Sequence, residues 1–269
     1  MMHRNNNFLK YSLSLVFIFT IGFLYFQMKT TDQVRTEKNE FLLEIPTENQ
    51  EIKEIIPRYP IPDISENEID RKNLISLPPI GESDEYLRME LVNVMIADIS
   101  QEIAKTTLVE KIVATIDNIP RSYMAERMRP IQIKPSSFVV EAQGNLNGFI
   151  LSEENYERYD YILNTLDSID VNKLADIYLR FYPLLQKAYQ DLGYPDAYFN
   201  DRLIDVIDHL LATPEVNDPI ILHRPNILFE FVHPELESLS SGQKLLIRTG
   251  KRHSSRIKQF IKEFRALIS

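Results

Sequence analysis

The stretch "DRLIDVIDHLLATP", Asp201 to Pro214, has the spacing of an amphipathic helix. Phe199, Leu203, Val206, Ile207 and Leu210 fall on one side of it. Asp201, Asp205 and His209 fall on the other, at i, i+4 and i+8. An acid in the first turn and a histidine in the last suit the helix dipole, and Pro214 marks the stop. The apolar stripe predicts a core on one side and a helical fold around it. The polar side raises a question of chemistry, because two carboxylates and an imidazole can bind a metal or serve as acid and base. Asp201 to His209 spans about 12 Å at ~1.5 Å per residue. One ion therefore meets at most two of these side chains, and no metal or cofactor is assigned. Asp208 beside His209 adds an acid–base pair. Asp205, Asp208 and His209 are thus the catalytic candidates, for a hydrolase-type reaction. A solvated or paired helix face is the simpler reading and the preferred one.

Helix signals extend in both directions from this stretch. Ser83 and the acids after it start "SDEYLRMELVNVMIADISQEIA". Pro120 stops "TTLVEKIVATIDNIP". Ser152 caps "EENYERYDYILNTLDSI", and Asp170 caps "VNKLADIYLRFYPLLQKAYQDLG". In the latter, Pro183 is expected to kink or split the helix and Gly193 to end it. Asp196 is expected to cap the Asp201–His209 helix. Ser240 and Gln243 fit a capping box, Gly250 fits a helix stop, and Ser254 or Ser255 restarts a last helix. Two stretches read as hairpins, "SFVVEAQGNLNGFIL" and "PIILHRPNILFEFVHP". The expected fold is mainly α with minor β, one mostly helical domain over residues 81–269.

Only 7 glycines in 269 residues leave few tight turns with positive φ, which favours helices over a hairpin-rich fold. With 0 cysteines, disulfides, thiolate zinc sites, iron–sulfur clusters and a cysteine nucleophile are excluded. Phosphate-loop, dinucleotide-binding, nucleophile-elbow and H-E-x-x-H zinc motifs are also missing.

"YSLSLVFIFTIGFLYFQM", Tyr11 to Met28, carries no charge and would make a helix about 27 Å long, close to the ~30 Å hydrocarbon core. No small-residue cleavage site follows it, so an uncleaved anchor is expected rather than a signal peptide. Residues 1–10 would be a cytoplasmic tail, and the body would lie on the periplasmic side of a bacterial inner membrane. Residues 29–80, with Pro46, Pro57, Pro60, Pro62, Pro78 and Pro79, read as a Pro-rich acidic tether. Within it "IPRYPIPDI" is expected to be extended, as a spacer or, alternatively, as a short recognition segment.

Two further features are candidate contacts. Tyr178, Tyr182 and Tyr189 recur at helical spacing and offer flat faces for a partner, with core packing as the bland alternative. The chain carries a formal charge of -9, yet from Lys244 onward it is strongly basic, with Glu263 the one acid. Lys251, Arg252 and Arg256 in that tail suit an anionic wall polymer or lipid, unless the tail is docked on the acidic body. A body outside the cytoplasm meets no DNA, so nucleic acid is not an expected partner.

The blocks "LVEKIVATIDNIPR", "YERYDYILNTLDSID", "YPLLQKAYQDLGYPD", "RLIDVIDHLLATP" and "LSSGQKLLIRTG", in that order, resemble a bacterial family catalogued as domain of unknown function 3014. The resemblance runs from about Leu77 to Ile268; "GKRHSS" at 250–255 is more basic than the family pattern. It implies a single-pass envelope protein with an N-terminal anchor and a polar spacer, and it implies no activity. The combined expectation is a membrane-anchored, non-catalytic interaction or scaffold module with a protein partner in the envelope. The alternatives are an envelope hydrolase and a polymer or lipid binder.

Overall fold

The chain divides into two units, Met1–Glu54 and Ile55–Ser269. A computed structural model describes residues 56–61, 77–95, 101–131, 138–142 and 148–269. The anchor at Tyr11–Met28 and the tail before it lie outside the described residues. Among the described residues no helix is long and apolar enough to cross a membrane.

The architecture is mainly helical with one small antiparallel sheet. In chain order the elements are α1 (Asp84–Val94), α2 (Leu108–Asn118), β1 (Val140–Ala142), β2 (Phe149–Leu151), α3 (Glu154–Glu157), α4 (Asp160–Ser168), α5 (Val171–Asp191), α6 (Phe199–Leu211), β3 (Ile221–His223), β4 (Glu230–Phe231), α7 (Pro234–Glu237), α8 (Ser241–Arg248) and α9 (Gly250–Ile268).

Helix α5 is the axis of the main core. Asp170 starts it by accepting the amide protons of Asn172 and Lys173. Its inward stripe, including Tyr178, Phe181, Leu185, Ala188 and Tyr189, is buried. Helices α1, α2, α6 and α9 pack around it. Phe181, Phe199, Ile204, Val109 and Ile268 are completely enclosed in this cluster. Pro183 does not split α5, which is one helix through it. That proline lies on the exposed face, where water can take the carbonyl it frees, and the buried Phe181 and Leu185 hold the turns on either side.

The sheet order is β1-β2-β3-β4, all antiparallel, so the two expected hairpins join edge to edge. Leu222 faces Phe149 on one side and Phe231 on the other. Leu151, Ile220, Leu222 and Phe231 build a second, smaller core with Ile247 of α8.

Several helix ends differ from expectation. The cap of α6 is not Asp196: the Phe199 amide donates to the Gln186 side chain of α5, which also donates to the Ala197 carbonyl. Ser83 precedes α1 but makes no capping bond; its hydroxyl donates to the Ile80 carbonyl. Asp84 instead accepts the Leu108 amide at 2.8 Å, capping α2 from a neighbouring helix. The Ser240–Gln243 capping box is formed. Helix α9 begins at Gly250, ahead of the expected Ser254, because Gly250 at φ +80 turns the corner from α8 without a gap. A β-carbon there would sit 2.7 Å from the Tyr156 ring, so glycine is required twice over.

Phe181→Ala, which empties the centre of the main core, is expected to cost about 3–5 kcal/mol in urea unfolding. Met89→Ala, at an exposed position on α1, is expected to stay within about 0.5 kcal/mol. A loss below about 1 kcal/mol for Phe181→Ala would show that α5 is not the axis.

Candidate functional site

The outward face of α6 is not a bare polar surface. The segment Pro57–Ile61 of the presumed tether lies across it. Exposure alternates along Ile56 to Ile61, with Pro57, Tyr59 and Ile61 half-buried and the residues between them exposed, and the chain bends at Arg58 and Tyr59. Tyr59 and Ile61 pack against the main core. Residues 57–61 of the expected tether are thus packed on the body.

The grip is mostly on the backbone. Asp201 accepts two consecutive amides, Arg58 N–H on Oδ2 at 3.0 Å and Tyr59 N–H on Oδ1 at 2.9 Å. Asn200, with 0% of its surface exposed, donates Nδ2 to the Tyr59 carbonyl at 2.9 Å. Two side chains are also read. The Arg58 guanidinium donates to Asp205 at 2.6 Å. Tyr59 lies under the Arg265 guanidinium of α9, 5.7 Å from the ring centroid. Arg265 is itself fixed by a two-pronged pair with Asp208, at 2.7 and 3.0 Å. The hydrogen bonds that Arg58 and Arg265 donate to Asp205 and Asp208, respectively, raise the affinity of each guanidinium for its proton, so both stay cationic.

The three catalytic candidates therefore have three separate partners. Asp205 holds Arg58 and Asp208 holds Arg265. His209 places Nε2 2.8 Å from the Ser240 hydroxyl, next to the capping box of α8. Among the described residues no group of three or more His, Asp or Glu side chains is arranged to hold a metal ion.

The tyrosines do not form an open groove. Tyr178 and Tyr189 are on the inward stripe of α5 and are buried, because aromatic residues at three- and four-residue spacing follow the core-facing side. Tyr189 stacks on Tyr194 with centroids 4.7 Å apart. Tyr182 is half-buried and donates to Gln186 at 3.0 Å; burial, the largest influence, pushes its hydroxyl up to about 12. Burial drives the Tyr178 hydroxyl higher still, so it remains a donor, and it gives its proton to Asn200 Oδ1 at 2.8 Å. Tyr178 thus serves the groove from behind, by orienting the amide that grips Tyr59.

The basic tail is docked. Lys251 pairs with Glu215 at 3.3 Å, and Arg256 pairs with Asp167. Lys258 donates to the Thr213 carbonyl. Arg252 is exposed. A depression between Pro214–Ile220 and the start of α9, lined by Tyr156, Lys251 and Lys258, encloses about 30 Å³, room for a water or two and not for a substrate. It lies away from the Asp201–Asp208 face.

Sequence reading missed Arg58, Tyr59, Asn200 and Arg265 as members of the site. Two signals pointed to three of them: a tyrosine between two prolines for Arg58 and Tyr59, and an asparagine beside an N-terminal aspartate on a helix for Asn200.

A family model described as "Protein of unknown function (DUF3014)" matches residues 108–265. No curated protein and no solved structure matches the chain.

Asp201→Ala removes a carboxylate that takes two amides, a loss worth about 1.5–3 kcal/mol of local closure. Trypsin cleavage after Arg58 is expected to speed up about tenfold or more, with the global melting transition kept. Cleavage at the parent rate would mean that Asp201 does not hold the segment.

Proposed function

The chain belongs to the DUF3014 family of proteins of unknown function, and on that premise we propose that it is a membrane-anchored, non-catalytic interaction module of the bacterial cell envelope. In this reading residues 11–28 span the inner membrane, the proline-rich tether gives reach, and the body meets a protein partner on the periplasmic side. The observation that carries the interaction role is the face of α6: its carboxylate Asp201 and its buried amide Asn200 grip the bent segment 57–61 of the same chain by the backbone. That is the chemistry of peptide recognition. The exposed tip of the β3–β4 hairpin adds support, with Ile227 80% and Leu228 71% exposed beside one another. The separate pairing of Asp205, Asp208 and His209 weighs against a catalytic role. The pairing of Lys251 and Arg256 with acids weighs against a free polymer-binding tail. The anchor rests on the apolar, uncharged run at Tyr11–Met28.

Two measurements test this reading. A compartment-sensitive reporter after Ser269 is expected to be active only outside the cytoplasm, and one after Met2 only inside. Cross-linking in gently solubilised membranes is expected to join the body to one protein in a fixed ratio. A C-terminal reporter active inside, or a chain recovered alone in repeated preparations, would overturn it. So would loss of cellular function in a folded His209→Ala variant, which would return the enzyme reading.

A further inference from the structure

We propose that the tip of the β3–β4 hairpin, Ile227 and Leu228, is a membrane contact: it dips into the surface of the bilayer that holds the anchor, with the arginines behind it at the level of anionic headgroups. The proposal rests on the anchored reading above and names what the exposed tip meets.

The turn from Arg224 to Leu228 is exposed at every position, and its two aliphatic residues are adjacent and mostly in water. Their turn is set in advance. Arg224 Nε donates to the Ile227 carbonyl at 3.0 Å, and the same guanidinium lies over the Phe229 ring, 5.3 Å from its centroid. Phe229 in turn packs on Phe149 and Phe138, with centroids 5.1 and 5.3 Å away. A tip held this way loses little freedom when it docks. The charges follow the same order. "RPNILF", Arg224 to Phe229, holds one cation and no acid. Arg158, which donates to Asn155, lies over Phe138 and brings a second guanidinium to the aromatic cluster. Glu230, the next acid along the chain, faces His223 across the hairpin at 3.6 Å. Aliphatic side chains at the point, with rings and guanidiniums behind them, match the sequence of layers from acyl chains out to phosphates.

Size decides the occupant. A stable protein interface takes about 800 Å² from each partner, far more than a point two side chains wide supplies. A bilayer asks for no matching surface. Two aliphatic side chains bring fewer carbons than a myristoyl chain, whose own hold on a membrane is marginal at about 10⁴ M⁻¹. An unattached body with this tip would come off. An anchored one does not. Met28 and Ile56 are 28 residues apart, so a chain anchored through Tyr11–Met28 keeps its body within about 100 Å of the bilayer whatever path lies between. At that range the lipid is always at high effective concentration, and a weak second contact suffices. Docking of the tip then fixes which end of the sheet faces the lipid, which an anchor alone does not do.

The test uses the full chain reconstituted in vesicles of equal parts phosphatidylcholine and phosphatidylglycerol, with acyl chains brominated at shallow or deep positions as quenchers. The chain has 0 tryptophans, so a single introduced indole is the only one that reports. Leu228→Trp reads the tip, Met89→Trp an exposed position on α1, and Phe19→Trp the anchor. Ile227, Leu228 and Met89 are exposed, so variants there keep the fold. Leu228→Trp is expected to shift to the blue and to be quenched roughly twofold or more by shallow bromines, with Met89→Trp little affected. Adding Ile227→Asn to the Leu228→Trp chain is expected to remove most of that quenching. In vesicles of phosphatidylcholine alone the ratio of docked to free tip is expected to fall about fivefold for each arginine engaged. Equal quenching in the two lipids would overturn the role given to the arginines. The proposal falls if Leu228→Trp is quenched no more than Met89→Trp. With Phe19→Trp quenched by deep bromines in the same vesicles, that result leaves the anchor standing and gives the tip to a protein partner. With Phe19→Trp unquenched as well, the anchored reading falls too. Quenching of Leu228→Trp without that of Phe19→Trp would keep the tip as a lipid contact and remove the anchor.

Discussion

One buried amide ties the described body together. Asn200 sits at the start of α6 with no exposed surface, and both protons and the oxygen of its side-chain amide are bonded to other elements. Its oxygen takes the Tyr178 hydroxyl of α5, and its nitrogen donates to the last turn of α9 at the Ile268 carbonyl and to Tyr59. An unpaired amide in that position would cost about 1–3 kcal/mol, so the four pieces have to meet in one arrangement. The final helix is thereby fixed by its last residues, with Ile268 enclosed in the core. The Arg265 side chain then falls where α6 and the docked segment need it.

Charge is arranged by the same docking. The tail from Lys244 onward carries the basic excess, and acidic residues of the described body lie against it. Helix α9 lays Arg256 against Asp167 and Arg265 against Asp208, and Lys251 reaches Glu215. Mostly exposed pairs of this kind add little stability each. Their effect is on register: they let a strongly basic helix pack on an acidic body in one orientation. A second network, Asp117 with Arg121 and Arg202, does similar work inside, where a carboxylate only 3% exposed demands two guanidinium partners.

What the sequence made legible follows from the range of the interaction involved. Local signals were read correctly: the Asp170 cap, the Ser240–Gln243 box, the positive-φ stops at Gly193 and Gly250, and the two hairpins. Each depends on residues within a few positions of one another. Caps supplied from a distance were not legible. Gln186 replaces the expected Asp196 at α6, and Asp84 caps α2 from another helix, where no local cap was expected. Pro183 does not split its helix, because the turns on either side of it are held by the buried Phe181 and Leu185. The groove was half legible. The face with Asp201 and Asp205 stood out at once, but its partner at Arg58 and Tyr59 lies more than 140 residues away. No periodicity joins two such segments.

The chemistry of that face also explains why its carboxylates were ambiguous in a row of letters. A carboxylate at a helix start serves equally well as a metal ligand, a general base or an acceptor for main-chain amides. What separates these roles is the number of donors pointed at it. Asp201 receives two amides and Asp205 one guanidinium, while Asp208 receives a fork of two N–H groups from Arg265. A base has to hold a lone pair open for its substrate. Asp201 and Asp205 accept protons from Arg58 and Tyr59 of the docked segment, and Asp208 accepts those of Arg265 in α9. The face that first suggested half of an active site is where residues 57–61 of the same chain pack.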